Sequence, residues 1–447
     1  MNNSRPSQLI QTVLVTAVLA FNLPGLARGA DYETKPADAY FLKFNPRKAP
    51  EPGPLVLKQG DRLAIIGDSI TEQKMYSRII ETYLTVCVPE LKITARQYGW
   101  SGETAEGFRH RMTNDCLRFN PTVATLCYGM NDFKYRPFDM ENEQWYADNY
   151  SYVAQSLKDA GATVVLGSAG CVGKVPGWTK SGDYTLDELN INLCAFRDCD
   201  IALAREMQMP FADTFWNLFK ARDAAQTLYG TNYNLCGKDG VHPGWAGHLV
   251  MAYVYLRAMG LDGDIGTLTV DLGAQTATAT AGHTVESFKD NLLTVTSIKY
   301  PFCAEGGTND DNSIRSGATL VPFFQDLSRF QLVVTNATAP QYNIIWGIAT
   351  NTWTNTYTSG QLAAGVNLAS DFVTNPFSES FQKVDKAVAA KEAYETHQIK
   401  QVFHSKEAKA DMDHAVATTE AERAPLAQAI VDAMTPVQHT ILIQAVP

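Results

Sequence analysis

Apolar positions change their rhythm three times along the chain. From residue 62 to 260, short apolar runs alternate with stretches of helical spacing. Residues 63–66 read as a buried strand, followed by a helical stretch over about 74–86. Residues 91–97, 123–127, 163–167 and 211–214 read as four further strands. Helices are expected over 142–160, 186–208 and 244–259. Strands alternating with helices predict an α/β fold, a parallel sheet covered by helices on both faces. Beyond residue 261 the period drops to two, and residues 267–272, 292–295, 330–334 and 342–346 read as strands of a small β domain. From about 376 to 434 the spacing turns helical again, with Phe381, Val384 and Val388 on one face. Pro425 is expected to start a second helix there, at its N1 position. Residues 440–443 end the chain as a strand. A helical hairpin inserted before the last strand would serve as a lid, an interface or packing for the β domain.

These patterns divide the chain into four parts: a signal peptide over 1–29, an extended Pro- and Lys-rich segment over 30–60, an α/β domain over 61–262, and a β domain over 263–447 with its helical insertion at about 376–436. The signal-peptide reading rests on Arg5, an apolar stretch over 10–23, and small residues at Gly25, Ala27, Gly29 and Ala30. The expectation is a secreted or periplasmic protein. The apolar stretch falls short of the roughly 20 residues a spanning helix needs, so no stable membrane insertion is expected. With 45% hydrophobic and 19% charged residues, the chain has material for large cores. Its net charge of −10 argues against a nucleic-acid partner.

Export would place the eight cysteines in oxidising surroundings, where some can pair. Cys194 and Cys199 lie in a segment read as helix, where their spacing puts them too far apart to bridge. No CxxC pair or adjacent His cluster suggests zinc.

Four short segments carry chemistry. Gly67-Asp68-Ser69-Ile70-Thr71 follows the first strand and precedes a helix, a turn that exposes a serine Oγ beside backbone N–H groups. By itself the segment reads more readily as a helix N-cap serine. Asp239-Gly240-Val241-His242-Pro243 precedes the last helix of the α/β region. An Asp three residues before a His on a turn can orient the imidazole through Nδ1 and leave Nε2 free to take a proton. Gly99-Trp100-Ser101-Gly102 and Gly129-Met130-Asn131-Asp132 follow the second and third strands. Open α/β sheets place their sites at such strand ends, and a glycine N–H or an asparagine amide can hold an oxyanion.

In this order the four segments resemble the blocks of the SGNH hydrolases, or GDSL esterases/lipases, over roughly residues 60–260. Ile70 stands where Leu is usual in the family. The resemblance implies a flavodoxin-like three-layer α/β/α domain with a five-stranded parallel sheet. It implies Ser69 as nucleophile, His242 as general base and then acid, and Asp239 as the residue that orients His242. Ser69, Gly102 and Asn131 would form the oxyanion hole. The mechanism would be two-step acyl transfer through an acyl-enzyme, with no metal or organic cofactor. Residues 362–368 and Asn375-Pro376-Phe377 resemble features of accessory β domains on secreted bacterial esterases of this family.

Other candidates are weighed against packing. Trp100, Tyr128, Trp178 and Tyr184 are candidate substrate contacts, since flat aromatic faces suit both sugar rings and cores. Asp132 is read as holding its own loop, and His248 as pointing away from His242. His397, His404 and His414 are read as a solvated face, and Asp183, Asp187 and Glu188 as surface charge. The expected partner is an acylated carbohydrate or another small ester. A carbohydrate deacetylase leads; a lipase, lysophospholipase or short-chain ester hydrolase is the alternative. A non-catalytic glycan-binding protein is the alternative of another class.

Overall fold

The computed structural model describes residues 31–179 and 184–447. The expected signal peptide and Asp183 lie outside the described residues. Five strands, β1 (Arg62–Gly67), β2 (Thr94–Gln97), β3 (Val123–Cys127), β4 (Thr163–Gly167) and β5 (Phe211–Ala212), form one parallel sheet in the order β2-β1-β3-β4-β5. Their apolar runs suit burial on both faces: every residue of β3 is buried, as is every residue of β1 after Arg62. Helices α1 (Tyr76–Cys87), α2 (Ala105–Asp115), α3 (Met140–Asp159), α4 (Leu186–Glu206), α5 (Thr214–Tyr229) and α6 (Trp245–Ala258) cover the sheet. α1 packs on α6, and α2 on α3. The result is the expected three-layer, flavodoxin-like arrangement.

Four details depart from the sequence reading, the first being α5, which has no counterpart among the expected helices. β2 starts at Thr94 rather than near 91, because Pro89–Leu91 closes a 3-10 turn and Lys92 adopts a positive φ of 49°. α2 has no apolar stripe to announce it: its buried positions Ala105, Phe108, Arg111, Met112 and Asp115 include two charges. β5 is cut short because Asp213 caps α5, its side chain accepting the Trp216 N–H.

The C-terminal part contains two sheets. β6 (Asp264–Asp271), β7 (Thr276–Ala279), β10 (Arg329–Thr335) and β13 (Val366–Asn367) form the first, in the order β13-β10-β6-β7. β8 (His283–Lys289), β9 (Leu292–Ser297), β11 (Gln341–Ile348), β12 (Asn351–Thr358) and β14 (Val437–Ala445) form the second, in the order β12-β11-β14-β9-β8. Phe330 from the first sheet meets Trp346 and His439 from the second, and Phe377 closes the core. A buried polar chain crosses this core. The Trp346 indole N–H donates to His439 Nδ1 at 3.0 Å, and His439 Nε2 lies 3.0 Å from Ser297 Oγ. Ser297 Oγ lies 2.8 Å from His283 Nδ1, whose Nε2 reaches the Ile265 carbonyl at 2.9 Å. One set of tautomers satisfies every link with both imidazoles neutral.

The helical insertion packs on the α/β domain. α7 (Ser378–His397) and α8 (Met412–Ala433) form the hairpin, and α7 lies against α1 and β2. β2 is an edge strand, and an uncovered edge leaves backbone groups unpaired. Here Lys391 Nζ and Arg423 Nη2 donate to the Ala95 carbonyl at 2.6 and 3.1 Å, and Glu395 accepts the Gln97 N–H at 3.2 Å. Lys391 and Glu395 are themselves paired at 2.8 Å and buried. The expectation for Pro425 is corrected: it lies inside α8, whose start is capped by Asp411 accepting the His414 N–H. Pro425 and Ala421 are both exposed, so the carbonyl that loses its helical partner faces solvent.

Candidate active site

The sheet order reverses between β1 and β3, and open α/β sheets bind ligands outside the carboxyl ends of strands at such a point. Ser69 lies here, at the start of the helical turn Ser69–Glu72 directly after β1. Asp68 fixes the turn by accepting the Ile70 N–H at 2.9 Å. The Gly99–Gly102 loop follows β2, and the Asn131 loop follows β3.

His242 arrives from the loop before α6. Its Nε2 is 2.8 Å from Ser69 Oγ, and its Nδ1 is 2.7 Å from Asp239 Oδ2. Asp239 Oδ1 accepts the N–H groups of Val241 and His242, both at 2.9 Å, so one carboxylate folds the turn and orients the ring. Burial acts to raise the Asp239 carboxyl, but these N–H groups and the imidazole outweigh it and hold it below its ordinary value. Gly237 has a φ of 85°, and a Cβ there would stand 1.7 Å from the His242 carbonyl oxygen. His248 backs the turn: its Nδ1 accepts the Tyr76 N–H at 3.2 Å, and its Nε2 reaches Gln73 Oε1 at 3.1 Å.

Gly102 is exposed with a φ of 76°, a left-handed conformation that suits glycine. The Asn131 amide donates to the Glu103 carbonyl at 2.9 Å and lies 3.5 Å from Asp68 Oδ2. Asp132 accepts the Ala105 and Gly129 N–H groups at 2.8 and 2.9 Å, which joins the two loops. Burial pushes both Asp68 and Asp132 up to about 7. Ser69, His242 and Asp239 thus stand in one hydrogen-bonded line, with Gly102 and Asn131 on the adjoining loops. In such a line an imidazole can draw the proton from a hydroxyl while a carboxylate steadies the ring.

The four aromatic candidates separate. Trp178 is 51% exposed, with its ring 5.9 Å from the His242 ring and 5.8 Å from Tyr135. Tyr184 is half-buried against the core. Trp100 is half-buried, with its ring 5.0 Å from the His404 ring and 5.1 Å from the Arg111 guanidinium. Tyr128 is corrected: it is fully buried, and its hydroxyl donates to Glu103 Oε2 at 2.6 Å. A substrate cannot reach it. His404 also departs from a solvated face, since its Nε2 lies 2.8 Å from Asp115 Oδ2.

Sequence reasoning missed the residues that hold the loops. Buried Arg111 grips Glu103 with bonds of 2.6 and 2.7 Å and donates to the Tyr98 carbonyl at 2.6 Å. Glu72, directly after the Gly67–Thr71 segment, carries no local mark of its partners. A loop of the C-terminal part also reaches the site: Asp311 Oδ2 accepts the Asn234 N–H at 2.9 Å. It borders a crevice of about 520 Å³ beside His242, lined by Gln73, Asn234, Lys238, Asp310, Asp311 and Asn312 among others. Nothing in the local sequence signals these long-range contacts.

Among the described residues, no group of three or more His, Cys, Asp or Glu could hold a metal ion, and no helix is long and apolar enough to cross a membrane. The GDSL-like Lipase/Acylhydrolase family model matches residues 65–250. An acetylxylan esterase of Geobacillus stearothermophilus is 25% identical over 221 residues, 45% of this chain and 95% of that protein. A gut microbial diltiazem-metabolizing enzyme of known structure is 20% identical, with a TM-score of 0.70. That likeness of fold covers 89% of this chain and 100% of the other, so it takes in the C-terminal sheets as well. The matched segment holds Ser69, Gly102, Asn131, Asp239 and His242. Residues 65–250 therefore form a domain of the GDSL-like lipase/acylhydrolase, or SGNH, family.

Proposed function

We propose that this protein is a serine esterase that hydrolyses carboxylic esters through Ser69, His242 and Asp239. The observation that carries the reading is the line Ser69 Oγ–His242 Nε2, His242 Nδ1–Asp239 Oδ2, with separations of 2.8 and 2.7 Å. Ser69 attacks the ester carbonyl while His242 takes its proton. The backbone N–H groups of Ser69 and Gly102 and the Asn131 amide receive the developing oxyanion. The Glu103 carbonyl engages one amide hydrogen of Asn131 and so fixes the side chain for this role. His242 then protonates the leaving alcohol, and water cleaves the acyl-enzyme by the same steps in reverse order.

For the substrate, we favour an acetyl group carried on a carbohydrate. The acetylxylan esterase relative supports this, as does an exposed Trp178 beside His242. The crevice on the His242 side offers the amide and carboxylate groups of Gln73, Asn234, Asp310, Asp311 and Asn312 to a hydroxyl-rich acceptor. The N-terminal sequence pattern supports export, and sequencing the amino terminus of protein recovered from outside the cytoplasm tests it.

The test of function is hydrolysis of p-nitrophenyl esters from acetate to palmitate, by the wild type and Ser69→Ala in parallel, followed by acetylated xylan. The expected result is a preference for acetate that disappears in Ser69→Ala, with acetate released from the polysaccharide. A preference for long chains would replace the deacetylase with a lipase. A folded wild type inactive on every ester would refute the esterase reading and leave a glycan-binding protein.

A further inference from the structure

The tip of the helical insertion lies against the loop that carries Gly102. α7 ends in a π-helical turn, Gln398–Val402, and Lys400 projects from it towards Glu72. Lys400 Nζ is 2.8 Å from each oxygen of the Glu72 carboxylate. The same carboxylate accepts the Ser101 N–H at 2.5 Å and the Ser101 hydroxyl at 2.6 Å. Three of these four bonds meet on Oε2, and Oε1 takes the fourth. Glu72 ends the helical turn that Ser69 begins, and Ser101 immediately precedes Gly102. One side chain thus ties the turn of the nucleophile to the loop of a second oxyanion donor.

The loop is seated closely enough for this tie to matter. A Cβ on Gly99 would stand 2.1 Å from the Glu72 nitrogen, so the loop rests directly on the serine turn. The Trp100 N–H donates to the Gly67 carbonyl at 3.1 Å. Lys400 also stands 5.1 Å from the centre of the Trp100 ring, which the His404 ring meets edge-on. The ion pair is largely shielded, with side-chain exposures of 25% for Lys400 and 19% for Glu72. Burial acts to raise the Glu72 carboxyl, but the bonds from Lys400 and Ser101 prevail and keep it ionised.

We propose that Lys400 is a positioning residue for the reaction: through Glu72 it holds the Gly99–Gly102 loop in register with Ser69, so the helical insertion completes the oxyanion site of a domain it does not belong to in sequence. The proposal rests on the esterase reading. Lys400 touches neither the reacting atoms nor the crevice beside His242. Its loss would loosen donors that act in the transition state and leave ground-state binding in place.

The experiment compares p-nitrophenyl acetate kinetics of the full-length wild type, Ser69→Ala, Lys400→Ala, Lys400→Arg and Glu72→Gln, with melting temperatures measured alongside. Lys400→Ala is expected to lower kcat about tenfold with KM within about twofold, the pattern of an interaction made only in the transition state. Lys400→Arg should recover most of kcat, because a guanidinium grips a carboxylate with two parallel bonds. Combining Lys400→Ala with Glu72→Gln should add little to Glu72→Gln alone. Unchanged kcat in Lys400→Ala, a change confined to KM, or additive losses in the double variant would overturn the proposal while leaving the esterase intact. If Lys400→Ala does not fold, the fall in kcat of Glu72→Gln and the activity of Lys400→Arg decide in the same way. Absence of Ser69-dependent hydrolysis in the wild type would overturn the esterase reading and this proposal with it.

Discussion

Acidification should destabilise the C-terminal sheets through His439. Its imidazole is fully buried between the two sheets, ringed by Phe330, Trp346 and Phe377. Burial, with a smaller contribution from the nearby His283, pushes its pKa down to about 3. In the unfolded chain an imidazole titrates near 6.5. Between those values the unfolded state binds the extra proton, so stability is full above about pH 6.5 and falls as the pH drops, levelling near pH 3. The slope is about 1.4 kcal/mol per pH unit, so moving from pH 7 to pH 5 costs about 2 kcal/mol through this one residue. The control is His439→Gln, which keeps a polar side chain beside Ser297 and Trp346 but cannot titrate. Urea unfolding of both proteins at pH 7 and pH 5, followed by tryptophan fluorescence, measures the difference. The wild type should lose about 2 kcal/mol more than His439→Gln over that interval. A proton NMR titration should also show one imidazole, missing from His439→Gln, that stays neutral down to about pH 4. Equal acid losses in the two proteins, or titration of that resonance near 6.5, would refute the reasoning.

Three further outcomes are expected. Asp239→Asn should lower kcat on the order of 10⁴-fold with little change in melting temperature, because an amide at Nδ1 leaves the ring in the wrong tautomer. Steady-state kinetics and a melting curve check it. Gly99→Ala would drive a Cβ to within 2.1 to 2.6 Å of the Thr71 and Glu72 backbone, which no side-chain rotation can relieve. Its kcat should fall on the order of 10²-fold, comparable with losing one oxyanion donor. Cys171 and Cys236, with sulfurs 3.4 Å apart, should lose two hydrogen atoms to oxidised glutathione and form a disulfide. Peptide mapping without reductant detects the bridge, and a gain of about 2–4 kcal/mol in unfolding free energy should accompany it.

The four chemical segments were legible because their placement is a local property. A buried apolar run must end where the chain meets solvent, and the turn residues that follow occupy the mouth of the sheet. Ser69, Gly102 and Asn131 follow β1, β2 and β3 for this reason. Asp239 and His242 share one turn, so their pairing needs no distant partner. Tyr128 and Trp178 were alike as sequence and opposite as structure. One lies under the loops, bonded to Glu103; the other stands open beside His242. An aromatic residue near a motif carries no mark of which side of the backbone faces solvent. Pro425 misled because proline favours the first turn of a helix, yet its ring is tolerated where the orphaned carbonyl faces water.

The parallel sheet, the order of its chemical segments and a helical insertion between two strands are all written locally in the chain. Those follow from periodicity and turn chemistry, which act over a few residues. The destination of the insertion, by contrast, is a matter of long-range packing. β2 is a sheet edge with an open carbonyl at Ala95 and an open N–H at Gln97, and Lys391, Arg423 and Glu395 satisfy them from about 300 residues away. That docking carries Lys400 to Glu72 across 328 residues of sequence. A lysine on a polar helix surface has no pattern that names its partner. Only the geometry of a shared, shielded carboxylate turns it from a solvated charge into part of the site.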